Sequence, residues 1–129
     1  MTLNITGTPA TVIPVSDHDA AISFYCDRLG FLVVSDEAFG DGHRWVEVSA
    51  PGSDHAIAFG KPPEGSPIGV MTGILISTSD IDADHAAMAA MGIDVDPAVM
   101  RQGDPVPPMF WFRDQDSNIL LLVERNAGA

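Results

Sequence analysis

The chain is poor in thiols, in positive charge and in long apolar runs, and each shortage removes a class of protein. Cys26 is the single cysteine among 129 residues, so no internal disulfide is available, and its place within a helical pattern predicts a buried, inert thiol. Six basic residues face eighteen acidic ones, giving a formal charge of −12 and a pI near 4.2. Such a surface repels phosphate backbones and anionic membranes, which argues against a nucleic acid or a membrane as partner. The longest aliphatic run, Ile119 to Val123, is far short of the ~20 residues that cross a bilayer. The first residues, MTLNITGTPATV, carry neither the basic region nor the apolar core of a secretion signal, so a soluble, cytoplasmic protein is expected.

Several catalytic signatures are missing too. The glycines are scattered through turns, without a P-loop or dinucleotide fingerprint, and no nucleophile elbow is present. A chelating pair within a strand needs i, i+2 spacing, because side chains alternate faces. None of His18, His43, His55 and His85 has a His, Asp, Glu or Cys at that distance inside a predicted strand; Asp41 and His43 have the spacing, but Asp41 lies in a turn. His18 and His85 are expected on the helix side turned away from any cavity.

What is present is a run of short elements, with 46% hydrophobic residues, 12 Gly and 10 Pro, the composition of an ordinary globular domain rich in turns. Ala10 to Val15 reads as a strand and Ser16-Asp17 as a helix cap. Ile22, Tyr25, Cys26 and Leu29 recur at helical spacing until Gly30 stops the helix, and strands at Phe31–Ser35, Arg44–Ser49 and His55–Phe59 follow. The Pro/Gly-rich segment KPPEGSPIG, residues 61–69, breaks every period and reads as a linker. Beyond it the order repeats: a strand at Gly73–Thr78, a Ser79-Asp80 cap, a helix over Ile81–Met91 stopped by Gly92, then strands at Ile93–Met100, Met109–Phe112 and Asn118–Glu124. The reading is a single α+β domain over residues 1–129 made of two βαβββ modules, about 8–60 and 70–125. In the last turn Asp114 and Asp116 are expected to be turn formers.

The segments VSDHDAAISFYCDRLGF (15–31), GDGHRWVEV (40–48), TGILISTSDIDA (72–83) and FWFRDQDSN (110–118), in this order, make the chain resemble the vicinal oxygen chelate superfamily. That family includes glyoxalase I, extradiol dioxygenases and bleomycin-resistance proteins. Ser117 stands where the family usually has Gly. The resemblance implies curved mixed sheets with helices on the convex side around a concave ligand cavity. It also implies where a family metal would be held: aligned motif by motif, the four His or Glu ligand positions fall on Ala10, Ala58, Ile74 and Leu121. None of these side chains has a donor atom, and neither do their neighbours apart from a weak Thr, so no metal or other cofactor is expected.

Turn symmetry sets an expected strand register. A symmetric Pro51-Gly52 turn places Trp45 opposite Ala58 and Glu47 opposite Ala56, and leaves Val46, Val48, Ile57 and Phe59 under the helix. A three-residue connection, Gln115 to Ser117, places Trp111 opposite Leu121 and Met109 opposite Val123, with Phe110, Phe112, Leu120 and Leu122 beneath the second helix. Both tryptophans then share the concave face with the small residues Ala10, Ala56 and Ala58. Trp is also a common core filler. The functional reading is an aromatic pocket formed by Trp45, Glu47, Ala58, Met109, Trp111 and Leu121, with Glu47 attracting a cationic or hydrogen-bond-donating group and doubling as the candidate general base. Arg44 and Arg113 border these strands as pairing partners for Glu47 or for ligand oxygens. The leading expectation is a homodimeric small-molecule binder for an aromatic or cationic compound, of the antibiotic-sequestering kind. The alternatives are a lyase, isomerase or dioxygenase with a displaced metal or metal-free acid–base chemistry, and a structural module filled by its own partner.

Overall fold

Strand, helix cap and glycine stop succeed one another twice along the chain. The computed structural model, which describes residues 2–125, builds one sheet from each succession. The chain divides into two compact units between Glu64 and Gly65, inside the segment predicted as a linker.

The first unit runs β1 (Ala10–Pro14), α1 (His18–Ile22, continued as a π-helix over Ser23–Arg28), β2 (Leu32–Phe39), β3 (His43–Ser49) and β4 (Ala56–Gly60). The sheet order is β1-β4-β3-β2, with β1 parallel to β4 and the other pairs antiparallel. Asp17 caps α1, its Oδ1 accepting the amide hydrogens of Asp19 at 2.8 Å and Ala20 at 3.2 Å, which satisfies donors the first turn leaves orphaned. The wide second half changes which side chains face the sheet. Ala21, Phe24 and Tyr25 are buried, whereas the expected stripe was Ile22, Tyr25, Cys26 and Leu29. Widening to an i→i+5 pattern lets the consecutive Phe24 and Tyr25 both turn inward. Tyr25 then packs against Phe24 and Phe59 at 5.3 Å and against Phe31 at 5.8 Å between ring centroids. Cys26 is only half-buried. Burial, and to a lesser degree the charge of Asp27, raise its thiol pKa, which keeps it protonated and unreactive.

β2 extends well past the predicted Ser35. The polar residues that read as a strand end lie on the exposed edge of the sheet, where a cross-strand ion pair to β3 carries the pairing on to Phe39↔His43. The β3–β4 register is Val46↔Phe59, Glu47↔Ala58 and Val48↔Ile57, two residues from the symmetric arrangement, so Ala58 faces Glu47 rather than Trp45. The connection spends extra residues beyond Gly52, where Ser49 Oγ donates to the His55 carbonyl at 2.7 Å. A slip of two preserves facing. Val46, Val48, Ile57 and Phe59 are all buried, between 0% and 4% exposed.

The second unit runs β5 (Met71–Thr78), α2 (Ile81–Ala90), β6 (Asp94–Val95), β7 (Met109–Arg113) and β8 (Ile119–Glu124), in sheet order β5-β8-β7-β6. Asp80 caps α2 through Ala83. The β7–β8 register matches the turn argument, with Trp111↔Leu121 and Met109↔Val123, and Phe110, Phe112 and Leu120 are fully buried. The strand expected over Ile93–Met100 is cut to two residues, because Pro97 has no N–H to offer the ladder. Pairing returns only as a single bridge, Met100↔Met109.

The turn between β7 and β8 is built inward. Asp114 and Asn118 are buried, at 7% and 0% exposure. Asp114 Oδ1 accepts the amide hydrogens of Asp116 and Asn118, both at 2.9 Å, and its Oδ2 accepts from Asn118 Nδ2 at 3.1 Å. Asn118 Oδ1 in turn accepts the amide hydrogens of Gly69 at 3.2 Å and Val70 at 3.1 Å, fastening the end of the connecting segment to the turn. Ser117 holds the left-handed φ of 63° that a Gly would take without strain.

Candidate functional site

The candidate site follows from one inequality of length: β3 begins before β4 ends. With Val46 opposite Phe59, Trp45 is level with Gly60, and His43 and Arg44 project past the end of β4. β2 returns beside them, Phe39 opposite His43, and the two rings stack at 5.3 Å with 17° between their planes. Across the gap the chain leaves β1 and enters α1 through Ser16, Asp17 and His18. His18 is half-buried and its Nε2–H donates to the Phe59 carbonyl at 3.1 Å; a carbonyl only accepts, so Nε2 carries the proton. Phe39, His43 and Trp45, the end of β4 and the start of α1 line a half-open cavity of about 440 Å³ within the first unit, with Lys61 also in the lining.

Arg44 fixes the frame of this cavity. Its Nε and Nη2 donate to the two carboxylate oxygens of Asp36, each at 2.8 Å, and its Nη1 donates to Asp19 Oδ1 at 2.8 Å. One guanidinium therefore ties β3, β2 and α1 together, in the bidentate geometry that makes Arg–carboxylate bonds strong. The hydrogen bond from Arg44 holds the Asp36 carboxyl below its usual pKa, and the two carboxylates raise that of Arg44.

The sequence-predicted site is partly regrouped. Trp45 lines the cavity and is 42% exposed. Glu47 lies two residues along the same face and is not among the lining residues; its Oε2 accepts the Trp45 Nε1–H at 2.6 Å. Ala56 and Ala58 are buried and border no part of this cavity. Arg44 pairs with Asp36 and Asp19 instead of Glu47, because alternation turns it to the helix side of the sheet. Arg113 pairs with Asp96 at 2.8 Å and Asp94 at 3.7 Å, both within the second unit. Neither helix histidine is turned away from its sheet: His18 lines the cavity, and His85 donates to the Asp96 carbonyl at 2.7 Å with its ring edge on Phe110. In the second unit Met109 and Trp111 are half-buried and Leu121 is buried.

The positions that the family resemblance assigns to a metal lie on the β1–β4 and β5–β8 strand pairs. Ala10 is registered with Ala56, and Ala58 with Glu47. Leu121 is registered with Leu75, while Ile74 is 9% exposed at an irregularity of the β5 edge. Reading Leu75 for Ile74 leaves the donor set equally apolar, so these residues do not fit a divalent cation. Among the described residues no group of three or more His, Cys, Asp or Glu is placed to hold a metal ion.

Phe39, His18, His43 and Lys61 were not foreseen as site residues. They come from the ends of four different segments, and strand alternation carries no information about which strand ends outrun their neighbours. The legible signal was the hairpin itself, Phe39-Gly40-Asp41-Gly42-His43, with aromatic rings on both sides of a Gly-flanked turn.

Residues 7–121 match the family model described as the glyoxalase/bleomycin resistance protein/dioxygenase superfamily. A crystal structure of a member of that superfamily from Sphaerobacter thermophilus DSM 20745 is 31% identical with a TM-score of 0.84, covering 94% of this chain and 98% of that one. The crystal structure of TnmS3, an antibiotic-binding protein from Streptomyces sp. CB03234, is 28% identical with a TM-score of 0.80, covering 97% of this chain and all of that one. The protein YetH of Bacillus subtilis (strain 168) is 26% identical over 113 residues, 85% of this chain and 91% of that protein.

Proposed function

Since the chain belongs to the glyoxalase/bleomycin resistance protein/dioxygenase superfamily, we propose that it binds a flat aromatic small molecule without covalent or metal chemistry, in the manner of an antibiotic-sequestering protein. The observation that carries this reading is the cavity of about 440 Å³ at the end of the first sheet, walled by Phe39, His43 and Trp45. Ligand pockets run to roughly 300–1,000 Å³ and combine aromatic walls with a few polar groups, and this cavity has both. The antibiotic-binding neighbour, alike in fold over nearly the whole chain, supports the same class of task. The apolar residues at the family's metal positions favour a binder over a metal-dependent enzyme. Glu47, already accepting from Trp45, fixes the indole ring and is not assigned a proton-transfer role.

Titration of tryptophan fluorescence with flat aromatic compounds tests this. Saturable quenching is expected in the wild type and in Trp111→Phe, and is expected to vanish in Trp45→Phe. Phe39→Ala should weaken binding roughly five- to tenfold, the usual worth of a stacking partner. Quenching that persists unchanged in Trp45→Phe would place the ligand elsewhere, and an inert signal across the panel would remove the binding reading altogether.

A further inference from the structure

The polar groups around the cavity are unequally committed, and from this imbalance we infer that its aromatic ligand carries an acidic group, a carboxylate or phenolate, seated against Lys61. The inference rests on the binding reading above and adds the charge of the ligand to it.

The acceptors at the end of β4 are taken. The Phe59 carbonyl receives His18 Nε2–H, and the Gly60 carbonyl receives the Val15 amide at 2.9 Å. Asp17, the one carboxylate among the described lining residues, spends its Oδ1 on two amides of α1. Asp19 and Asp36 are both bound to Arg44. The Glu47 carboxylate, the group that would otherwise draw a cation, is held by Trp45 and lies outside the lining.

The donors are open by comparison. Lys61 has no ion-pair or hydrogen-bond partner among the described residues, leaving three N–H bonds of an ammonium in the lining. Arg44 uses three of its five N–H bonds on Asp36 and Asp19, and the other two remain for a ligand oxygen. The two aspartates outweigh the charge of Arg44 by one, so Lys61 alone supplies the attraction and Arg44 supplies direction. His43, stacked on Phe39, adds a ring N–H beside the aromatic wall. A ligand that brings oxygens satisfies these donors, whereas an ammonium would add a cation beside Lys61, with Asp17 Oδ2 as the one lining carboxylate oxygen left to it.

Calorimetric titration with three probes of equal shape decides the matter: naphthalene carboxylate, naphthalene carboxamide and naphthylmethylammonium. The carboxylate should bind about tenfold tighter than the carboxamide, the usual worth of one charge-assisted hydrogen bond, with the ammonium weakest. Lys61→Gln should weaken carboxylate binding about tenfold and so erase its margin over the carboxamide, and Lys61→Arg should keep that margin. Equal or tighter binding of the carboxamide or the ammonium, or a carboxylate preference that survives Lys61→Gln, would overturn the assignment of charge and leave aromatic binding standing. Failure of all three probes to bind the wild type would overturn both.

Discussion

Two acid-bearing hairpin turns, one in each unit, put the same residue type to opposite uses. Between β2 and β3 the chain turns through Gly40-Asp41-Gly42, with φ of 56° and 73° at the two glycines and Asp41 exposed. Between β7 and β8 it turns through Asp114 to Asn118, with both of those residues buried and hydrogen-bonded to one another. The first turn takes its shape from glycines, which leaves Asp41 idle and the flanking rings of Phe39 and His43 free to wall a cavity. The second takes its shape from side chains, which consumes the acid and closes the space. A turn held by glycine backbone can border a binding site; a turn held by its own carboxylate acts as a fastening.

The largest test of this contrast is Asn118→Ala beside Asp41→Ala. Removing the Asn118 amide takes the acceptor from the part-buried Gly69 and Val70 N–H groups and one hydrogen bond from the buried Asp114. The expected cost is about 1–3 kcal/mol, the range for polar groups that lose their hydrogen-bond partner on folding. Asp41→Ala removes an exposed side chain and should stay within about 0.5 kcal/mol. Urea denaturation of the two variants measures the difference; comparable costs would mean that the glycine turn is also held by its acid.

That asymmetry marks the limit of what the sequence disclosed. The paired βαβββ order, both Asp caps and the β7–β8 register were legible because caps, glycine stops and alternation are local signals. The β3–β4 register was missed by two because turn symmetry assumes an even connection, and this one is lengthened by the side-chain contacts of Ser49. The β6 strand was overextended because alternation was read through Pro97. Alternation puts Trp45 and Glu47 on one face of β3, yet the cavity that Trp45 lines depends on how far β3 outruns β4, which only the register discloses. Asn118 was counted as the first residue of an apolar strand, and nothing local says that an Asn at a strand start is buried against the backbone of a distant linker.

A smaller effect, of opposite sign, comes from Ser117→Gly in the side-chain-held turn. A non-glycine residue in the left-handed region pays roughly 1–2 kcal/mol, and glycine gives back about 0.5–1 kcal/mol through its greater freedom in the unfolded chain. With φ at 63°, the substitution should stabilise the protein by about 0.5–1 kcal/mol. Adding it to Asn118→Ala would sharpen the comparison: the gain should shrink if the Asp114–Asn118 bonds are what force Ser117 into that conformation.

The smallest effect belongs to the glycine-held hairpin, whose neighbouring clamp is electrostatic. Arg44 holds the Asp36 carboxyl below its ordinary pKa, chiefly through their hydrogen bond, so the folded chain binds that proton more weakly than the unfolded chain does. The contribution of the pair is therefore complete above the ordinary carboxylate value of about 3.9, and it is lost as pH falls through the lower folded value. Both side chains are partly exposed, so the stability gain is modest and screened by salt. The difference in melting temperature between wild type and Arg44→Met should be positive at neutral pH and should close on acidification, with the Asp36 carboxyl signal in NMR titrating nearer its ordinary value in the variant. A difference that persists unchanged in acid would assign the role of Arg44 to the packing of its stem, and the frame of the cavity would then rest on shape and not on charge.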